Sequence, residues 1–468
     1  MFARLGQRFL SIILLLLFGI AIGSLYDQVG NFMRARVNEI TRFAAGHPLE
    51  SETTVWQKVQ NDLGIAPWRT AREAEIPAHY PYQTMQATED IADLLEESEL
   101  QLYVDPESAL ARQHAGLLVK TQVSTERGYA YRLLVLGFDG IVYRALNLGD
   151  APDCNCDASE PLNYFHIAGD PASIEQSGNQ LIRVNSCGAT DWSIDSRYSF
   201  HHYLNNDGDH QRARFWILDA SDLVQVNAVD GRVSQRISLS EIINANPELH
   251  IFESRLLGNR EGRWQYGDAE FVPLGRTHTD ITNADPEPFH SNDIDEYLGE
   301  DTGLFQRGDL VLSLRSQNLI VVVRPESRKI VWYAYGLTSR QHDPDFLSAD
   351  SVMVYDNNFH NPTSRIVELT ASAETAQNNE FNVLRETRID SFDGNAFHQL
   401  TEGYQFLTED EKTLVFSAGY YDVGVDLDTQ KAVLAVRHRW QDQAYLKLEI
   451  ERLLSRTEID SIREARCQ

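Results

Sequence analysis

LVQVNAVDGRVSQ (223–235), LIVVVRPESRKIVW (319–332) and DVGVDLDTQKAVLAV (422–436) each give an alternating strand, a polar turn and a second strand. The three overlay without a gap. With Val226, Val323 and Val425 in register, the copies lie 97 (323 − 226) and 102 (425 − 323) residues apart, two periods of roughly 50 each. Fainter copies occur at LVLGFDGIVYRAL (134–146), NQLIRVNSC (179–187), WQYGDAEFVPLG (264–275) and SRIVELTASAET (364–375). A period of about 40 to 50 residues carrying several strands predicts an all-β fold of the β-propeller kind, in which each blade buries its faces against its neighbours.

The bounds agree with one large domain plus appendages. At 468 residues and 42% hydrophobic content there is ample material for a packed core. The 41 basic against 69 acidic residues give a formal charge of −28, which repels phosphate backbones and excludes nucleic acid as a natural partner. Any anion site must therefore be a local basic focus inside a cleft. Arg4 and Arg8 precede an apolar run from Phe9 to Tyr26, near the lower length limit for crossing a bilayer. The run predicts export, as an uncleaved anchor in preference to a cleaved signal, with the chain after Tyr26 outside the cytoplasm. In that compartment Cys187 is expected to pair with Cys154 or Cys156, Cys467 standing apart, and no metal site is expected from the CxC spacing.

The expected domains are a signal anchor (1–26), a membrane-proximal stalk (27–112) with helical patterns such as EDIADLLEESELQLYV (89–104), a propeller (113–441), and a C-terminal amphipathic helix (442–468). That helix packs on the body of the protein or offers a homodimer contact.

Four short segments place an ionisable side chain at the rim of a predicted strand: His201-His202 in YSFHHYLNNDGD, His290-Ser291-Asn292-Asp293, Arg315 at the end of GDLVLSLR, and Gln341-His342-Asp343-Pro344. His290 and His342 are 52 residues apart, one blade period, so equivalent positions on adjacent blades bring them together. Arg315 closes an apolar strand, where a guanidinium is costly to bury without an anion; its planar fork matches two oxygens of sulfate or phosphate. Histidines and an arginine are the parts needed to seat an oxyanion, attack it and protonate a leaving group. For each histidine taken singly, a surface or satisfied structural role is the ordinary alternative.

The segments HSND, SLR and QHD, with the following VMVYDNN (352–358), resemble the conserved stations of the bacterial arylsulfotransferases, which need no nucleotide sulfate donor. The likeness runs from about Gly116 to Trp440 and is strongest between His290 and Asn357. It implies a six-bladed propeller that takes sulfate from a phenolic ester, holds it on a histidine and passes it to a second phenol, with no cofactor. It makes His342 the nucleophile, His290 and Arg315 the groups holding sulfate oxygens, and Asn292 and Asn357 substrate-binding neighbours. His201 or His202 becomes the group that protonates the departing phenoxide; adjacent strand residues face opposite ways, so only one of the two serves. Asp356 and Asn357 also read as a blade turn beside the site, and His398 as structural. The acidic stretch DEYLGEDTGLFQRG (295–308) is longer than the family's connection and is expected to narrow the channel mouth.

Other classes are excluded by what the chain lacks. No GxxxxGK[ST] loop is present, Cys187 precedes Gly-Ala-Thr-Asp instead of the sulfatase CxPxR context, and Tyr203 occupies the first ligand position of the half calcium loop NNDGD. The competing reading is a non-catalytic, membrane-anchored propeller acting as a scaffold or ligand-binding protein, since fold alone decides nothing.

Overall fold

In the three hairpins that define the repeat, Val226 pairs with Val233, Val323 with Ile330 and Val425 with Ala432, a spacing of seven residues each time. Each carries a register shift at that valine. The bulge tightens strand twist just before the polar turn, so the copies share a shape as well as a pattern. The computed structural model describes residues 80–87, 98–125, 128–148, 164–168, 177–184, 190–201, 214–249, 289–359, 361, 363–371, 383–399, 402–419, 421–440, 444–446 and 448–464. All lie in the second of the chain's two units, Ala71–Gln468; the first is Met1–Thr70.

Five multi-stranded sheets form a propeller-like, all-β arrangement among the described residues. One is the antiparallel meander Ser291–Glu296, Leu310–Leu314, Leu319–Arg324 and Lys329–Tyr335. The next is His342–Ser348, Ser351–Asp356, Arg365–Ala371 and Val383–Ile389. A third follows as Gln405–Leu407, Thr413–Ser417, Tyr421–Asp426 and Lys431–Trp440. In the fourth, Leu448–Leu454 from near the C-terminus pairs with Gly116–Thr125, which continues into Gly128–Gly137 and Ile141–Leu148. The fifth runs from Tyr164–Ala168 to Val233–Ser238.

Side chains of a single strand serve two interfaces. Leu312, Leu314, Val321 and Val323 pack with Trp216, Leu218 and Leu223 of the preceding sheet, whereas Val311, Ile320 and Val322 pack with Val352, Val354 and Val367 of the following one. Both faces of Leu319–Arg324 are thus covered, which is why LIVVV is a continuous apolar run; each such side chain contributes about 1.5–3 kcal/mol by burial. Ser291–Glu296 and His342–Ser348, the first strands of their sheets, are neighbours, and Ser291–Glu296 also neighbours Arg214–Asp219, an interior strand of the fifth sheet.

Two expected helical regions are strands. Ser98–Val104, assigned to the stalk, pairs antiparallel with Lys431–Trp440, and Leu448–Leu454, assigned to the C-terminal helix, pairs with Gly116–Thr125. The reason is period-two patterning: Leu100 and Leu102, like Leu448 and Ile450, are buried on one face while polar residues alternate between them. Buried Glu449 and Glu451 are tolerated in that strand because Lys120 forms ion pairs with both. The C-terminal helix is confined to Arg456–Glu464, with Ile459 and Ile462 set against Leu118, Leu133 and Val135. The propeller therefore extends beyond 113–441 at both ends. The stretch 295–308 is also relocated: it joins the far end of Ser291–Glu296 to Leu310–Leu314, away from His290, and buries Phe305 against Trp332, Phe346 and Tyr297. It does not narrow the mouth beside His290.

The Phe9–Tyr26 run, the stalk before residue 80 and the four cysteines lie outside the described residues, as does WQYGDAEFVPLG. Among the described residues no helix is long and apolar enough to cross a membrane.

One buried histidine lies away from the predicted stations. His438 Nδ1 is 2.6 Å from Thr121 Oγ1 at the seam between two sheets, and burial, aided by the Arg132 charge, pushes its pKa down to about 3. A depressed histidine leaves the unfolded chain binding the proton first, so stability is full above about pH 6.5 and falls as pH drops toward the folded value. Denaturant unfolding at pH 6.5 and 4.5 is expected to show a loss of about 1.4 kcal/mol per pH unit from this site. The non-titrating His438→Gln variant should lose correspondingly less over the same interval; equal losses would contradict the assignment.

Candidate active site

His290 and His342 occupy matching places, His290 directly before Ser291–Glu296 and His342 as the first residue of His342–Ser348. Both chain paths are bent. Positive φ values occur at His290 (45°), Arg340 (54°) and Asp343 (48°), and register shifts fall between Ser291 and Asp293 and between His342 and Pro344. Left-handed backbone at a non-glycine residue is held only where the surroundings insist on it. Here the insistence comes from hydrogen bonds across the seams. Ser291 Oγ is 2.8 Å from Ser221 Oγ, Asn292 Nδ2 donates to the Gln341 carbonyl at 2.9 Å, and Gln405 N donates to Asp343 Oδ2 at 2.5 Å. Gln341 is a fully buried strut: its amide nitrogen donates to Ser313 Oγ and the Leu319 carbonyl, both at 3.2 Å, and its Oε1 accepts from Thr338.

Arg315 starts a short 3-10 turn, Arg315–Gln317, between two apolar strands, and its backbone N–H donates to the His290 carbonyl at 3.1 Å. Asn318 closes the turn in the left-handed region, and its Oδ1 accepts from Arg340 N at 2.9 Å. The turn is thereby tied to both histidine segments. Arg315 and His290 are half-buried, while His342 is buried.

The His342 ring is held well below the usual histidine range, first by burial, then by the Arg315 charge, with His290 adding in the same direction; its contacts with Asn357 and the Arg340 backbone oppose the shift. His342 is therefore neutral near pH 7 in a positive setting, a state that suits a nucleophile facing an anion. Its Nδ1 lies 2.6 Å from Asn357 Oδ1. Asn357 Nδ2 in turn donates to the carbonyls of Gln399 at 3.0 Å and Glu402 at 2.6 Å. Gly403, at φ 123°, lies directly against the Tyr355 ring, where a Cβ would meet Tyr355 carbon atoms at 2.5 Å. Asp356 sits beside the site as an anchor, accepting from Ser339 N at 2.7 Å and pairing with Arg365.

Of the predicted stations, His290, Arg315 and His342 are gathered at one place, with Asn292 and Asn357 behind them. Asn292 and Asn357 are both fully buried, Asn292 against the Gln341 backbone and Asn357 against the His342 ring. His201 ends the strand Thr190–His201, and its side chain and all of His202 lie outside the described residues. His398 is exposed. Sequence reasoning passed over Gln341, Asp343 and Gln405, although QHD was the segment that marked the site. Among the described residues no group of histidine, cysteine and carboxylate side chains is placed to hold a metal.

The site therefore sets a neutral histidine beside an arginine at the strand ends of a propeller-like all-β arrangement. The family model for arylsulfotransferases (ASST) matches residues 196–420. That segment contains His290, Arg315, His342 and Asn357, and the match supports sulfotransferase activity in general. No curated protein matches the chain. Solved structures similar to it include a protein of unknown function from Bacteroides caccae, with 10% identity over 71% of this chain and 98% of that one and a TM-score of 0.36. BamB from Moraxella catarrhalis has 9% identity over 71% and 89%, with a TM-score of 0.26. Virginiamycin B lyase from Staphylococcus aureus has 11% identity over 73% and 99%, with a TM-score of 0.29.

Proposed function

We propose that the protein moves a sulfuryl group from a phenolic sulfate ester to a phenol through a sulfohistidine at His342. The observation that carries this reading is the pairing of a buried, neutral imidazole with the Arg315 guanidinium and His290. In the first half-reaction the imidazole lone pair forms the N–S bond as the aryl S–O bond breaks, and the phenoxide leaves with that bond's electrons and takes a proton from His201 or His202. In the second, the acceptor phenol gives its proton to the same base, its oxygen forms the new S–O bond, and the N–S bond breaks. Arg315 and His290 bind the sulfuryl oxygens through both steps. No nucleotide donor is used.

The same reading counts six blades. The fifth sheet joins two three-stranded meanders, 164–201 and 214–238, through the single register pair Asp219 and Phe200, which supports treating it as two blades. It also sets the catalytic body on the periplasmic side of the inner membrane, on the strength of the Phe9–Tyr26 run and its arginine flank.

The test is incubation of the purified chain with 4-nitrophenyl sulfate, with and without phenol. Nitrophenolate release that requires the acceptor is expected. Equal release without any acceptor would make the protein a hydrolase. Absence of turnover with every aryl sulfate tried, and of sulfated His342 by mass spectrometry, would favour the scaffold.

A further inference from the structure

The amide of Asn357 has its orientation decided by its surroundings. Its Nδ2 faces two backbone carbonyls, Gln399 O and Glu402 O, which accept and never donate. Rotating the amide by half a turn would set Oδ1 against both carbonyls and lose both hydrogen bonds of the buried Asn357 nitrogen, a cost of about 1–3 kcal/mol, although Gln399 O would keep its bond from Ser364 Oγ. Oδ1 must therefore face His342 Nδ1, at 2.6 Å. An amide oxygen only accepts, so the proton between the two atoms belongs to the imidazole. A neutral imidazole carries a single N–H, and with that hydrogen on Nδ1 the lone pair is on Nε2.

Resting on the sulfotransferase reading above, we propose that Asn357 is a positioning residue: it selects the Nδ1–H tautomer of His342, so that Nε2 is the atom that bonds to sulfur, and it keeps that proton on the ring while the sulfuryl group is attached. When the Nε2–S bond forms, the ring becomes an imidazolium, its charge balanced by the sulfonate, and the Nδ1–H to Oδ1 bond becomes charge-assisted. The contact is thus stronger in the intermediate than in the resting enzyme, which is the condition for accelerating its formation. An amide also cannot remove the proton, as a carboxylate would. A ring that keeps its proton is the better leaving group when the acceptor attacks. The neighbouring carbonyls enforce this choice, because Asn357 Nδ2 donates to both Gln399 O and Glu402 O, where a carboxylate would set an oxygen against them.

Two measurements test the proposal, one of them independent of turnover. Long-range nitrogen–proton NMR on the full chain labelled at histidine, with the His342 signals assigned by their loss in His342→Gln, is expected to show Nδ1 protonated and Nε2 bare near pH 7. In Asn357→Ala the two tautomers should mix, and kcat with 4-nitrophenyl sulfate and phenol should fall on the order of a hundredfold with the donor KM within about threefold, since a histidine in the wrong tautomer costs orders of magnitude in other enzymes. The folded fraction of the variant is checked by thermal unfolding, and acetamide, which supplies the same donor and acceptor, should restore part of the rate. An Nε2–H tautomer in the unaltered protein, or an Asn357→Ala variant that keeps kcat within threefold, would overturn the role given to Asn357. If the unaltered protein has the Nδ1–H tautomer yet turns over no aryl sulfate, the sulfotransferase reading fails and the positioning of the ring stands.

Discussion

His342→Ala is expected to lower transfer from an aryl sulfate to a phenol by about four orders of magnitude or more, because removing a covalent nucleophile removes the pathway and not merely an increment of binding. The remaining cationic groups still attract the donor, so its affinity should change far less than kcat. No sulfuryl group should appear on the variant by mass spectrometry after incubation with donor alone, whereas the unaltered protein should carry one on the peptide containing His342. The substitution leaves Asn357 Oδ1 without its ring partner in a buried place, which predicts a stability loss of about 1–3 kcal/mol alongside the loss of activity. Thermal unfolding separates the two effects, since a folded and inactive variant is the expected result. Retention of a tenth or more of the rate would remove His342 from the nucleophile's position and point to His290.

What the sequence reveals and what it hides follow from the range of the interactions involved. The hairpins around Val226, Val323 and Val425 are legible because each is a local pattern of strand, turn and strand that the chain repeats, and the structure adds a bulge at each of those valines. Ser98–Val104 and Leu448–Leu454 read as helical because charged residues between leucines suit a helix face as well as an alternating strand; the ion pairs from Lys120 to Glu449 and Glu451, which help make the second strand acceptable, span more than 300 residues. The site divides in the same way. His290, Arg315 and His342 stand out as costly residue types at strand ends. The groups that aim them do not: Gln405 reaches Asp343 across 62 residues, and Asn357 depends on carbonyls of Gln399 and Glu402, which no side-chain identity announces. Left-handed backbone at His290, Arg340 and Asp343 is equally silent, because none is a glycine.

Arg315 allows charge and geometry to be separated. Arg315→Ala is expected to reduce kcat by about two to three orders of magnitude, the scale observed when one preorganised donor to a developing negative charge is removed. It also has a consequence for pH. The Arg315 charge is the second cause, after burial, of the low His342 pKa, so its removal leaves the ring easier to protonate. Since the protonated ring cannot attack, the acid limb of the rate profile should move to higher pH, and only in part, because burial remains. Arg315→Lys keeps the cation but gives up the planar fork, so its acid limb should stay near that of the unaltered protein while kcat falls by about ten- to a hundredfold. A lysine variant with full activity would show that a point charge suffices and that the paired hydrogen bonds to sulfuryl oxygens contribute nothing. An alanine variant whose acid limb does not move would show that the guanidinium is not felt at the imidazole, and the arrangement proposed for sulfuryl transfer would lose its electrostatic basis.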